Sequence, residues 1–284
     1  MPQSGSPPTA RRRRLGVELR RLRERAALSA TEAATLLGVT QSRISNIEAG
    51  RYGVSGNRVR ALARNYACSD QALIDALAGM TGDRTRGWWE EYQDLLPTGL
   101  LELTELEHHA TALRTSQLVN VPGLLQTPDH ARSIFGQAVP PLLPHEVEHM
   151  VAHRIRRQGI LHRQRPTPYT AVLHEAALHM RFGGTYVAKA QLRHLIELSE
   201  HENITILVIP FTSDGFPPSG HGIDYFSGPV SQLDTVQLDT THGSELVDAP
   251  AKVEMYRLLL DRMEEIALPA EESRDLMNRA AQRL

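Results

Sequence analysis

Between Ser29 and Arg51 the chain reads Ser-Ala-Thr-Glu-Ala-Ala-Thr-Leu-Leu-Gly-Val-Thr-Gln-Ser-Arg-Ile-Ser-Asn-Ile-Glu-Ala-Gly-Arg, and no other stretch restricts the fold so tightly. Ser29 and Glu32 have the spacing at which a cap hydroxyl and an N3 carboxylate satisfy each other's backbone N–H groups. Ala33, Leu36 and Leu37 give the helix so started an apolar face, and small Ala33 admits a neighbouring helix at short range. Gly38 can enter the left-handed backbone region that ends a helix. Val39 returns to the core, and Thr40 is placed to cap a second short helix. Ile44 and Ile47 form the inner face of that helix, which Gly50 stops. Gln41, Ser42, Arg43, Ser45 and Asn46 remain on or near its outer face. The pattern is two short helices joined by a tight turn, the second presenting hydrogen-bonding side chains.

The flanks extend the bundle to five helices. Leu15, Leu19, Leu22 and Ala26 recur at helical spacing, which predicts a first helix over 15–27. A fourth is expected over 55–66, through Val59, Leu62, Ala63 and Tyr66, and a fifth over 69–77, through Ala72, Leu73 and Leu77. Ahead of them, Met1 to Thr9 is rich in Pro, Ser and Gly and is expected to be disordered, followed by a basic arm at Arg11, Arg12, Arg13 and Arg14. Charge is divided unevenly. Residues 1–80 hold 13 Arg, no Lys and 6 acidic residues, a net of about +7, while the rest of the chain nets about -9. The basic third is drawn to phosphate and the acidic remainder is repelled from it.

The run Leu37-Gly38-Val39-Thr40-Gln41-Ser42-Arg43-Ile44-Ser45-Asn46-Ile47-Glu48-Ala49-Gly50-Arg51, within five short helices, resembles the Cro/repressor-type (XRE) helix-turn-helix family over residues 15–80. The resemblance implies double-stranded DNA as partner, with the helix 41–49 in the major groove. On that basis Gln41, Ser42, Arg43 and Asn46 are the expected base readers, Arg for guanine and Gln or Asn for adenine. Thr31, Ser45, Arg51 and Arg11 to Arg14 are the expected phosphate contacts, which fix register without reading sequence. Ala30 departs from the Gln that many members carry near the start of the first of the two helices. A homodimer is expected, because one helix reads too few base pairs and two helices about 34 Å apart read enough.

Beyond residue 80 the signals weaken. Residues 81–104 read as a linker holding an aromatic cluster, Trp88, Trp89 and Tyr92, expected to pack between domains or protomers. A larger α+β domain with a small mixed sheet is expected over 105–284. Its pattern predicts helices over 100–118, from Asp129, and over 145–161. The apolar, β-branched runs 169–174 and 204–211 flank a helix through Leu192, Leu195, Ile196 and Leu198, an order that predicts a parallel strand pair. Residues 222–226 and 234–238 alternate like further strands, and helices are expected over 252–266 and 271–283, the second begun near Pro269.

Three stretches, Leu118 to Arg132, His153 to Gln158 and Glu175 to Leu178, resemble the C-terminal domain of unassigned function that accompanies such helix-turn-helices in many actinobacterial regulators. That resemblance also takes in the paired Trp and the closing run Leu268 to Ser273. It implies an antitoxin-like regulator working with a small partner protein, and leaves open a small-molecule effector. An adaptor that neutralises such a partner is the alternative role.

Enzyme readings find less support. His145-Glu146-Val147-Glu148-His149 satisfies the His-Glu-x-x-His pattern of zinc peptidases. It starts at the exposed end of a helix straight after Pro140 to Pro144, contains a second acidic residue, and lacks an assigned third ligand, for which His153 and Glu175 are the only suggestions. His174, Glu175 and His179, and the pair His108 and His109, have no defined ligand spacing. The stretch Gly215 to Gly222, with Asp214, His221, Ser213 and Ser219 close by, reads as turn chemistry rather than a phosphate loop. No catalytic residue, metal or cofactor is therefore expected. The single Cys68 rules out an internal disulfide framework and fits a reducing cytoplasm. No apolar run of about 18 residues is present to span a membrane, and no signal peptide is expected.

Overall fold

A computed structural model describes residues 8–81, 87–217, 221–240 and 243–284. The chain divides after Glu90 into two compact units, Met1–Glu90 and Glu91–Leu284.

The first unit is a bundle of five helices: α1 (Ala10–Arg25), α2 (Ala30–Leu37), α3 (Gln41–Glu48), α4 (Gly56–Asn65) and α5 (Gln71–Gly79). Leu15, Leu19, Leu22, Ala33, Ile44, Ile47, Val59, Leu62 and Leu77 are buried together with Tyr66, as their spacing predicts. Gly38 ends α2 at φ +61°, in the left-handed region. Ser29 caps α2 through both arms of the capping box, accepting from Glu32 N at 3.2 Å while its own N–H donates to Glu32 Oε2 at 2.7 Å. Four expectations are corrected, the first that Leu36 of α2 and Ala72 of α5, expected on inner faces, are exposed. Helix α1 begins at Ala10 rather than Leu15, because Thr9 Oγ1 accepts from Arg12 N and caps it there, so Arg11 to Arg14 form its first turns and not an arm. Helix α5 begins at Gln71 rather than Ser69, because Asp70 caps it, accepting from Leu73 N at 3.0 Å. Thr40 makes no cap for α3, because its hydroxyl bonds the Ser42 hydroxyl at 3.1 Å instead. Of the segment expected to be disordered, residues 1–7 lie outside the described residues, as do 82–86 of the expected linker.

The second unit carries a six-stranded mixed sheet in the order β3-β2-β1-β4-β5-β6, with β1 (Ala112–Gln117), β2 (Tyr169–His174), β3 (Ile204–Ile209), β4 (Ile223–Ser227), β5 (Thr235–Thr240) and β6 (Gly243–Val247). Strands β1, β2 and β3 run parallel, and β4, β5 and β6 continue antiparallel. The helices are α6 (Thr98–His109), α7 (Pro128–Phe135), α8 (Pro144–Arg157), α9 (Glu175–His179), α10 (Gly184–Leu198), α11 (Pro250–Ile266) and α12 (Ala270–Arg283). Strand alternation sorts the core into two faces. Tyr169, Ala171, Leu173, Ile206 and Val208 pack with residues of α10 and α12. Val172, Ile223, Tyr225, Val236 and Leu238 pack with Val253, Leu260 and Met263 of α11.

The parallel pair expected around α10 is present as β2 and β3. The helix expected over 100–118 is not. It ends at His109, and residues 112–117 become β1, because a strand there fills both the β2 and β4 ladders. The sheet thus has six strands where the pattern predicted four, and the unit begins before residue 105. Among the described residues no helix is long and apolar enough to cross a membrane.

Two histidines of this unit are buried and stay neutral. Burial, with Arg154 nearby, lowers His130 to about 4. Burial, with Arg157, Arg154 and Arg156 nearby, lowers His153 to about 3. The unfolded chain protonates both rings below about pH 6.5 while the folded chain does not, so the unfolded state binds more protons and stability falls as acid is added. Asp224, pushed up to about 7 by burial, opposes one of them, because the folded state holds its proton where the unfolded state has lost it. We therefore predict that denaturant midpoints fall from pH 6.5 towards pH 4. His130, whose ring nitrogens have no hydrogen-bond partner among the described residues, contributes up to about 3 kcal/mol. In His130→Leu the slope should flatten; an unchanged slope would refute the assignment.

Candidate nucleic-acid interface

Helix α3 is held from behind by two devices. Arg23 of α1 grips Glu48 at the end of α3 with two bonds, Nε to Oε1 at 2.6 Å and Nη2 to Oε2 at 2.9 Å. Beside them Gly16 of α1 lies directly against the α3 backbone. A Cβ there would stand 2.7 Å from the Ile47 carbonyl oxygen and closer still to that of Glu48. Buried Ile44 and Ile47 complete the inner face.

With that face fixed, Gln41, Ser42, Arg43 and Ser45 are exposed and Asn46 is half-buried, so the structure brings the five predicted side chains to one helix face. Gln41 Nε2 donates to Ser45 Oγ at 2.9 Å, one turn on. The Ser45 hydroxyl, accepting that bond, keeps its own proton to donate outward. Asn46 also anchors the turn after α3, its carbonyl accepting from the backbone N–H groups of Arg51 and Tyr52 at 2.9 and 3.1 Å. Because Thr40 does not cap α3, the first N–H groups of that helix have no side-chain cap, the end of a helix that favours an anion.

The other expected phosphate contacts separate by exposure into three groups. Thr31, Arg12 and Arg51 are exposed. At the start of α2 the Ser29 hydroxyl and N–H hold the Glu32 carboxyl below its usual range, so that helix end already has its anion and the Thr31 side chain is the group left to act. Arg12 Nη2 donates to the Arg51 carbonyl at 3.4 Å, bringing those two cations together. Arg11 and Arg13 are half-buried and bond the carbonyls of Gly79 and Pro8 at 3.0 and 2.7 Å. Arg14 is a correction: it is buried on the inner face of α1 and ion-paired with Glu18. Tyr52, 53% exposed just after α3, was missed by the sequence reading. The available signal was an aromatic placed directly behind the Gly50-Arg51 helix stop.

The aromatic cluster is divided between the units. Trp88 and Trp89 meet edge-on at 6.1 Å in the first, and Tyr92 stands edge-on to His153 at 5.0 Å in the second. In the peptidase-like motif, Glu146 Oε2 accepts from the Leu143 N–H at 2.6 Å and caps α8, while Glu148 pairs with Arg132. His145 and His149 lie edge-on at 6.0 Å, and among the described residues no three His, Cys, Asp or Glu side chains group as metal ligands. Ser219 lies outside the described residues.

This architecture defines the class: residues 14–77 match the model of a helix-turn-helix domain. Residues 100–279 match the family described as a domain of unknown function (DUF5753), and the chain belongs to that family. Comparison with curated proteins and with solved structures finds no match.

Proposed function

We propose that the protein is a sequence-specific DNA-binding transcriptional regulator of the Cro/repressor type. The observation that carries this reading is the single polar face of α3, with Gln41, Ser42, Arg43 and Asn46 displayed above a helix locked by Arg23–Glu48. In this reading those four side chains read base edges in the major groove. Thr31, Ser45, Arg12 and Arg51 contact phosphate and set register. The net positive charge of residues 1–80 supports it. The protein acts as a homodimer in the cytoplasm, and the second unit serves dimerisation and the binding of a partner or effector. No catalytic step is assigned to it.

Arg43→Ala should weaken binding to the cognate site by about 1–3 kcal/mol and leave binding to random DNA nearly unchanged, measured by fluorescence anisotropy at fixed salt. Equal losses on both DNAs would remove Arg43 from base readout. The resemblance of residues 118–132 and 153–158 to antitoxin-like regulators supports a second role as an adaptor for a small partner protein. Co-purification with the product of an adjacent gene, with and without DNA, tests that role separately.

A further inference from the structure

The second unit holds a partly open cavity of about 410 Å³, within the size range of small-molecule sites. Its lining comes chiefly from strands β1, β4 and β5 and helices α6 and α8, so all of its walls belong to one unit. Leu100, Leu103, Leu113 and Phe226 give it an apolar side. Its polar side contains a contrast between two arginines one turn apart on α8. Arg157 is buried and neutralised by both oxygens of buried Glu107. Arg154 forms no ion pair with a carboxylate among the described residues, and Glu107 and Asp239, which also line the cavity, act on it only through space. Its Nη1 donates to the neutral Gln126 Oε1 at 2.6 Å, its guanidinium stacks on Phe135 at 4.1 Å, and its Nε has no hydrogen-bond partner among the described residues. Burial and the neighbouring Arg157 lower its pKa, and the carboxylates of Glu107 and Asp239 offset only part of that.

A second orphan lines the same space. Gln237 is 2% exposed and its Oε1 has no hydrogen-bond partner among the described residues. Buried groups of this kind cost stability unless something completes them, and they concentrate at sites that bind. One lacks a directly paired anion and the other lacks a donor. Asp224 also lines the cavity, its Oδ1 accepting from Thr115 Oγ1 at 2.7 Å. Burial and Asp239 push that carboxyl up to about 7, so near neutrality a share of it is protonated and able to donate.

We propose that this cavity binds a small amphipathic carboxylate that carries an amide: the carboxylate pairs with Arg154, the amide N–H donates to Gln237 Oε1, and the apolar chain lies on Leu100, Leu103 and Phe226. The inference deepens the reading of the second unit as an effector-binding domain and rests on that reading. Acyl amino acids have this chemistry, and hexanoylglycine is a suitable probe, with its methyl ester as the uncharged control.

Calorimetric titration of the full chain, without DNA, should show hexanoylglycine binding at one site per chain and the ester binding at least about 10-fold more weakly. Arg154→Gln should abolish the preference for the acid. Gln237→Met should weaken both probes while melting no lower than the wild type, because it removes an unsatisfied acceptor. Absence of binding by hexanoylglycine, equal binding of acid and ester, or an acid preference retained in Arg154→Gln would each overturn the proposal. Anisotropy with and without saturating hexanoylglycine then separates the two claims. Binding with no change in DNA affinity keeps the site and rejects its effector role, whereas loss of DNA binding in Arg43→Ala leaves the site untouched.

Discussion

Gly16→Ala is expected to destabilise the helix-turn-helix unit by about 1–3 kcal/mol or more, against the usual gain from replacing a mid-helix glycine. Helix propensity alone would favour alanine by about 0.5–1 kcal/mol. The added Cβ, however, would stand 2.7 Å from the Ile47 carbonyl oxygen, and the atoms it meets belong to the α3 backbone rather than to a flexible side chain. The collision can be relieved only by moving α3 away from α1, which also stretches the Arg23–Glu48 pair. Hydrogen exchange of the buried amides of Ile44, Ile47 and Leu62 should quicken, and affinity for specific DNA should fall with it. Increased protection in the variant would show that propensity wins and that α1 and α3 are not in this contact.

The second large effect is expected at Glu107. Its carboxylate and the Arg157 guanidinium are both at or below 5% exposure and bonded in the bidentate fashion. Removing one partner leaves a buried charge without compensation, so Glu107→Ala should cost about 3–5 kcal/mol. Replacing both, as Glu107→Leu with Arg157→Met, removes the two desolvation penalties along with the attraction and should recover most of that loss. Denaturant midpoints of the single and double variants measure it. A double variant no more stable than Glu107→Ala would mean that the pair does more than neutralise itself.

Legibility in the sequence tracked the range of the interactions. The first unit could be read because its determinants are local: Ser29 with Glu32, the glycine at 38, and apolar residues three or four apart. Even there the close approach at Gly16 was invisible, since nothing local distinguishes a packing glycine from a tolerated one. Arg14 was misplaced for a similar reason: four consecutive arginines look alike until the start of α1 is known, and Thr9 moves that start. In the second unit, β1 carried a pattern compatible with a continuing helix, and only pairing with β2 and β4, distant in sequence, decides for a strand. The sequence reading passed over β6 (Gly243–Val247), a strand exposed along most of its length, because it has little of the alternation that marks a half-buried strand. The cavity was hidden entirely. Arg154, Gln237 and Asp224 are far apart in the chain, and Arg154 differs from Arg157 in forming no ion pair among the described residues, which no spacing displays.

The central claim is that α3 reads DNA sequence, and in vitro selection from randomised duplex DNA tests it most directly. The full chain should enrich a two-fold symmetric motif with half-sites about one helical turn apart. Arg43→Ala should lose preference at one position of each half-site while keeping the salt-dependent retention of DNA that phosphate contacts provide. Recovery of no motif by the wild-type protein, with retention that depends on salt alone, would contradict the account.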